Sequence, residues 1–173
     1  MSEENVTRLW TQAGFIDDIW TRGDAETPAG DHVILTLDAF LVAIEAGTNA
    51  GPLGVHLAPG ESIEAILPHL DRLTLISLGF PAYNDGRSFS KAELLRSRHG
   101  FAGTIRAHGD VLIDLVNHML RTGFDELEVT NGPTLARLEA GRPGGLGVYY
   151  QPAAKVSAKP VDAPAYAWRR IPA

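Results

Sequence analysis

The 173-residue sequence contains no cysteine. That absence excludes disulfides, a thiolate nucleophile, a Cys-ligated zinc site and the usual Cys-held iron–sulfur cluster, so any redox role needs a borrowed cofactor. No apolar run approaches the roughly 20 residues of a membrane span. The acidic start Met1-Ser2-Glu3-Glu4-Asn5 has no apolar signal region. Positive charge is also scarce: 15 Lys and Arg face 21 Asp and Glu, a formal charge of −6 with neutral His. This argues against a nucleic-acid-binding face and leaves room only for a local basic pocket. A soluble cytoplasmic protein is the expectation.

Several motifs are missing as well. There is no Walker-type Gly-Lys-Ser/Thr, and Gly141, Gly144, Gly145 and Gly147 do not follow a strand and open a helix, as a dinucleotide fingerprint must. His32, His56, His69, His99 and His118 lack metal-site spacing. Asp114 and His118 are one helical turn apart, but two ligands do not complete a zinc site, and a surface or interface pair is the favoured reading. No metal is expected.

What is present is an ordinary core content, 45% apolar residues, enough for one domain. Residues 7–21 carry Leu9, Trp10, Phe15, Ile16, Ile19 and Trp20 around a turn at Ala13-Gly14, which predicts a short hairpin. Arg22 to Asp31 is rich in Gly, Asp, Thr and Pro and predicts a surface loop. Strands are then predicted at His32–Leu37, Leu53–Leu57, Leu73–Phe80, Thr104–Ala107 and Glu126–Val129, with a last one at Gly147–Gln151. The long apolar run Leu73–Phe80 reads as the central strand.

Helices are predicted between them: 39–45 capped by Asp38, a stretch with Ile63, Ile66, Leu67 and Leu70 at helical spacing, and a helix opened at Ser90. There, Ser90-Lys91-Ala92-Glu93 reads as a capping box, and Gly100 stops the helix. Asp110 opens the next one, which stops at Gly123, and Asn131 with Pro133 opens another. Alternating strands and helices require crossovers and favour an α/β fold with a mostly parallel sheet of repeated βα units, preceded by the hairpin. An open sheet is the first expectation and half of a β/α barrel the alternative, because periodicity does not separate them. Residues 1–151 form the single domain. Residues 152–173, with four prolines, read as an extended or flexible tail whose Tyr166 and Trp168 offer a docking alternative.

The chemistry-bearing stretch runs from Phe80 to Val129. Asp85-Gly86 is a turn after a strand, in the kind of loop that holds ligands at the carboxyl end of a parallel sheet. Arg87 in that loop, Arg106 at the end of the next strand and the Gly109-Asp110 helix start converge, on this reading, at one rim. A small anion such as sulfite, sulfate, phosphate or a carboxylate fits such donors, with Ser88 and Ser90 assisting. The competing reading pairs Arg87 with Asp85 and Arg106 with Asp110 as loop-closing ion pairs. Arg96 and Arg98 are two apart on a helix, so at least one faces solvent. His108, beside Arg106 and Asp110, is the acid–base candidate, although a lone histidine without a nucleophile is more often a structural hydrogen bonder.

Phe80-Pro81, Asp85-Gly86-Arg87, Leu94-Leu95-Arg96 with Arg98, Arg106-Ala107-His108-Gly109-Asp110-Val111-Leu112 and Gly123-Phe124-Asp125 together resemble the DUF934 family of uncharacterised bacterial proteins. Its usual pattern is Phe-Pro, Asp-Gly-Arg, Leu-Leu-Arg and Arg-Ala-x-Gly-Asp-Val-Leu. Ser88 and Phe89 depart from the family's common glycine and tyrosine, and Leu115 from a common glutamine. The resemblance implies an accessory role in assimilatory sulfite reduction, with sulfite reductase or its electron donor as partner. The alternative is a small oxidoreductase or other enzyme acting on an anionic substrate at the Arg/His/Asp rim, with a bound flavin supplying the redox chemistry. Tryptophan and tyrosine content makes a homodimer the expected assembly.

Overall fold

The computed structural model describes residues 7–24, 31–47 and 51–144. Their strands are β1 (Arg8–Thr11), β2 (Gly14–Ile16), β3 (Thr21–Gly23), β4 (Val33–Thr36), β5 (Leu53–Leu57), β6 (Leu73–Phe80), β7 (Thr104–Gly109) and β8 (Glu126–Val129). The helices are α1 (Leu37–Ala46), α2 (Arg87–Ser97), α3 (Ile113–Thr122) and α4 (Gly132–Glu139). All eight strands join one sheet in the order β2-β1-β8-β7-β6-β5-β4-β3. From β3 to β8 every pairing is parallel, whereas β1 runs antiparallel to both β2 and β8. The sheet is therefore mixed, with the predicted hairpin stitched onto the last parallel strand.

Two observations show that the sheet curls into a half-barrel rather than lying open. Its outermost strands, β2 and β3, are consecutive in the chain, joined only by residues 17–20. Eight flat strands would put those edges about 34 Å apart, whereas the five Cα steps from Ile16 to Thr21 reach at most about 18 Å. Arg22 on β3 also makes a 2.6 Å ion pair with Glu128 on β8, across what would be about 24 Å of flat sheet. The half-barrel alternative is the correct one.

Consecutive parallel strand order with right-handed crossovers puts every connection on one face. On that convex face Leu35, Val55, Leu57, Ile76, Leu78, Phe80, Ile105, Ala107, Leu127 and Val129 pack with Phe40 of α1, Leu95 of α2, Val116 and Met119 of α3 and Leu138 of α4 in a single core. Each such fully buried aliphatic or aromatic side chain stabilises the fold by about 1.5–3 kcal/mol. The other face, made by the alternate residues, is concave and is crossed by residues 17–20 as a strap.

β5, β6 and β8 run over the predicted residues, and β6 lies centrally. Helix starts moved. Thr36, still extended, caps α1 by accepting from Ala39 N, which leaves Asp38 inside the first turn. The region from Ile63 to Leu70 forms two 3-10 segments, Ile63–Ala65 and Leu67–Arg72, because Pro68 cannot donate to an α-helical ladder and the backbone breaks at His69. α2 begins at Arg87, not Ser90: Asp85 Oδ1 accepts from Arg87 N and the buried Ser88 hydroxyl donates to Gly79 O at 2.6 Å. Ser90 is left exposed within the helix.

α3 begins at Ile113 rather than Asp110. Residues 109–111 form a tight turn, with Asp110 N donating to Phe80 O and Val111 N to Gly109 O. The first helical amide, Ile113 N, donates to Thr134 Oγ1 of α4, and Asn131 caps α4 as predicted. The expected loop from Arg22 to Asp31 instead starts with β3, whose weak apolar content gives no periodic signal and which is held by its pairing to β4. The predicted strand Gly147–Gln151 and the tail 152–173, with Tyr166 and Trp168, lie outside the described residues.

Gly109 has φ +104°, and a Cβ there would sit 2.3 Å from Phe80 O. Gly109→Ala should therefore destabilise by about 3 kcal/mol. In thermal unfolding this would appear as a midpoint about 6–12 °C lower; an unchanged midpoint would refute the close approach of the β7 end to β6.

Candidate functional site

Alternation in the strands places the polar residues of the concave face. In β7, Arg106 and His108 point away from the core residues Ile105 and Ala107; in β8, Glu126 and Glu128 point away from Leu127 and Val129. The register opposes Arg106 to Ser77 and Glu126, Gly79 to His108, and His56 to Ser77. Curling then brings Arg22 of β3 and Asp18 of the strap to the same place.

Arg106 is the centre of this cluster, its side chain 1% exposed. Its guanidinium grips Asp18 with two bonds of 2.8 and 3.0 Å, donates from Nε to Glu126 Oε2 at 2.8 Å and reaches Glu128 Oε1 at 3.3 Å. Burial alone would lower its pKa, but the Asp18 and Glu126 carboxylates outweigh burial and hold it raised. Burial pushes the Glu126 carboxyl up against the pull of Arg106. Glu128 behaves differently. Burial would raise it, yet the hydrogen bond with His108 and the charges of Arg22 and Arg106 bring it down to about 2.

His108 Nδ1 lies 2.7 Å from Glu128 Oε2. Its ring meets that of His56 edge-on, centroids 5.4 Å apart, and His56 Nδ1 lies 3.0 Å from the Ser77 hydroxyl. Gly79 makes this approach available, because a Cβ there would press on the Cε1–Nε2 edge of His56 at 3.3–3.4 Å. Desolvation, then the nearby Arg22 charge, lowers the His56 pKa to about 4, so this ring is neutral at pH 7.

Beyond His108 lies a cavity of about 380 Å³ at the carboxyl ends of β6, β7 and β8. Phe80, Pro81, His108, Gly109, Asp110 and Glu128 line it, with Thr7 and Thr130 at its edge. This is the end of a parallel sheet where ligands bind. Among the described residues no group of three or more His, Asp or Glu could hold a metal ion.

Residues 54–161 match DUF934, a family of bacterial proteins of unknown function, over more than half of the chain. The chain belongs to this family. No curated protein and no solved structure matches it. The DUF934 match begins inside β5, so His56, Ser77, Arg106, His108, Glu126 and Glu128 fall within it, and Asp18 and Arg22 precede it.

The residues that carried the DUF934 resemblance separate in space. Arg87 is exposed and bound by Asp85 through bonds of 2.9 and 2.6 Å, whereas Arg106 is buried and pairs with three other carboxylates, Asp18, Glu126 and Glu128, rather than with Asp110. The two arginines share no partner. Ser88 serves the backbone of β6, Ser90 is exposed, and the Gly109-Asp110 turn precedes rather than opens a helix. Arg96 of α2 donates to the Gly123, Phe101 and Gly103 carbonyls and pairs with Asp125, while Arg98 is exposed. His118 contacts Phe89 and Arg121 rather than Asp114.

Sequence reasoning missed His56, Ser77, Glu126 and Glu128, together with Asp18 and Arg22. The signal for the glutamates was the alternation Glu126-Leu127-Glu128-Val129, a strand with one acidic face beside Arg106-Ala107-His108. For Asp18 and Arg22 no local signal exists.

Two of the shifted groups, His56 and Glu128, give a pH dependence of known sign. His56 binds its proton at about 4 when folded and near 6.5 when unfolded, so the unfolded state holds more protons in between and stability falls as pH drops through that window. Glu128 adds stability present above about 4.5 and lost as pH falls toward 2. Unfolding free energies from urea titration should decline from pH 6.5 to 4, by about 2 kcal/mol after allowance for solvent screening, and fall further below pH 4.5. His56→Gln should flatten the first limb only; an unaltered first limb would remove His56 as its cause.

Proposed function

We propose that the protein is an accessory component of assimilatory sulfite reduction, working with sulfite reductase or its electron donor. The context comes from the resemblance to DUF934 proteins. The observation that supports accessory work over catalysis is the mutual saturation of the charged groups: Arg106 by Asp18, Glu126 and Glu128, and Arg87 by Asp85. An oxyanion at Arg106 would have to displace a carboxylate, and at the exposed Arg87 it would compete with the Asp85 charge.

A second reading, an enzyme working at the Arg/His/Asp rim, is favoured by one feature: His108, 40% exposed, lines a cavity while bonded to a carboxylate. The described lining offers a flavin little support, since its phosphate would meet Asp110 and Glu128 and no Lys or Arg belongs to that lining.

Deletion of the gene decides the first reading. The deletion strain should fail on sulfate and sulfite, grow on sulfide or cysteine, and show several-fold lower sulfite reductase activity in extracts. Normal growth on all four sulfur sources would overturn the assignment. Complementation by a His108→Gln variant should restore growth under the accessory reading and fail under the enzyme reading.

A further inference from the structure

Resting on the enzyme reading of the rim, we propose that His108 is its proton acceptor, fixed by Glu128 and flanked by the Ser77-bound His56. Its substrate is a small neutral or cationic molecule presenting an N–H or O–H. The geometry assigns each role.

Glu128 cannot be a donor: Oε1 already receives Arg22 at 2.6 Å and Arg106 at 3.3 Å, and Oε2 faces His108 Nδ1 at 2.7 Å. A carboxylate among three such groups accepts only, so Nδ1 of His108 carries a proton, and in the neutral ring the lone pair is then on Nε2. This is the arrangement by which a buried acid holds a catalytic imidazole in the useful tautomer. When Nε2 takes a proton from the substrate N–H or O–H, the electron pair stays on that nitrogen or oxygen, and the new imidazolium is stabilised by Glu128. The proton returns to the product or to water.

His56 acts as a positioning residue. Its ring centroid is 5.4 Å from that of His108, and a positive charge there would oppose the charge that His108 must take up. Burial keeps His56 neutral at pH 7, and the Ser77 hydroxyl, 3.0 Å from its Nδ1, fixes its ring. Arg22 and Arg106 face Glu128, and Asp110 lies on the adjoining turn, so the charges around His108 come from β3, β7, β8 and that turn.

The lining selects the substrate class. Asp110 and Glu128 border the cavity, Thr7 and Thr130 supply hydroxyls, and Phe80 with Pro81 forms an apolar wall. An anion would meet two carboxylates; an amine or alcohol would find acceptors. A volume of about 380 Å³ is that of a small-molecule pocket.

The test uses the full-length protein with 15N-labelled histidine and needs no assay. Long-range 1H–15N spectra at pH 8 should show His108 with the proton on Nδ1, and Glu128→Gln should mix or reverse that tautomer. Diethyl pyrocarbonate should acylate His108 faster than the other histidines, with the rate falling about tenfold in Glu128→Gln as the charge-assisted bond is lost. Millimolar ethanolamine should shift the His108 ring signals and sulfite should not. A proton on Nε2 in the wild type overturns the assignment of His108 even if the variant folds poorly; a response to sulfite alone, or to neither probe, overturns the substrate class. None of these outcomes bears on the sulfur-source growth test, so the two readings fail separately.

Discussion

The buried guanidinium of Arg106 is the constraint on which the concave face depends. A cation removed from water is tolerated only where carboxylates surround it, and here three of them come from two separate parts of the chain: the strap (Asp18) and β8 (Glu126 and Glu128). The strap is thereby tied to the middle of the sheet. Arg22 then needs Glu128 across the mouth of the half-barrel, and Glu128 in turn orients His108. Removal of Arg106 would leave Asp18 and Glu126 without their cation and Glu128 held by Arg22 and His108 alone.

Much of the family run is architecture on the opposite face. Arg96 substitutes for backbone partners at three carbonyls and ties α2 to the entry of β7 and to the turn before β8. Gly123 is part of the same device: its φ is +111°, and a Cβ would meet the Arg96 side chain at 2.5 Å. Ser88 fastens the start of α2 to β6. These residues keep the carboxyl ends of β6, β7 and β8 at fixed spacing, and the cavity is the space between those ends. Of the tryptophans expected to seek a partner, Trp10 is buried in the core and Trp20 lies over Gly54 with its ring against His32, while Tyr83 is exposed.

The strands were legible because runs such as Leu73–Phe80 and Leu53–Leu57 bury continuous apolar surface, and that signal needs no knowledge of neighbours. Helix starts were less legible. Asp38, Ser90 and Asp110 are all good capping residues, yet Thr36, Asp85 and Thr134 do the work, in the last case from a different helix. Curvature was not written locally at all; it follows from strand order and the shortness of the link between β2 and β3. The candidate site shares that fate. His108 and Arg106 could be picked out singly, but Asp18, Arg22, His56 and Ser77 meet them only once the sheet has curled, and Arg87 was misjoined to Arg106 because adjacency at a sheet end does not say which face a side chain occupies.

The pairing of β1 with β8 also has a temporal side. Arg8 lies opposite Val129, so β1 waits for a strand more than a hundred residues later before its ladder is complete. Such long-range closure is slow and leaves an unpaired edge exposed meanwhile. During synthesis the hairpin, with its Leu9, Trp10 and Phe15, is an adhesive surface on an unfinished protein. Sequence separation, rather than strand length, thus sets when the antiparallel edge of the half-barrel can close.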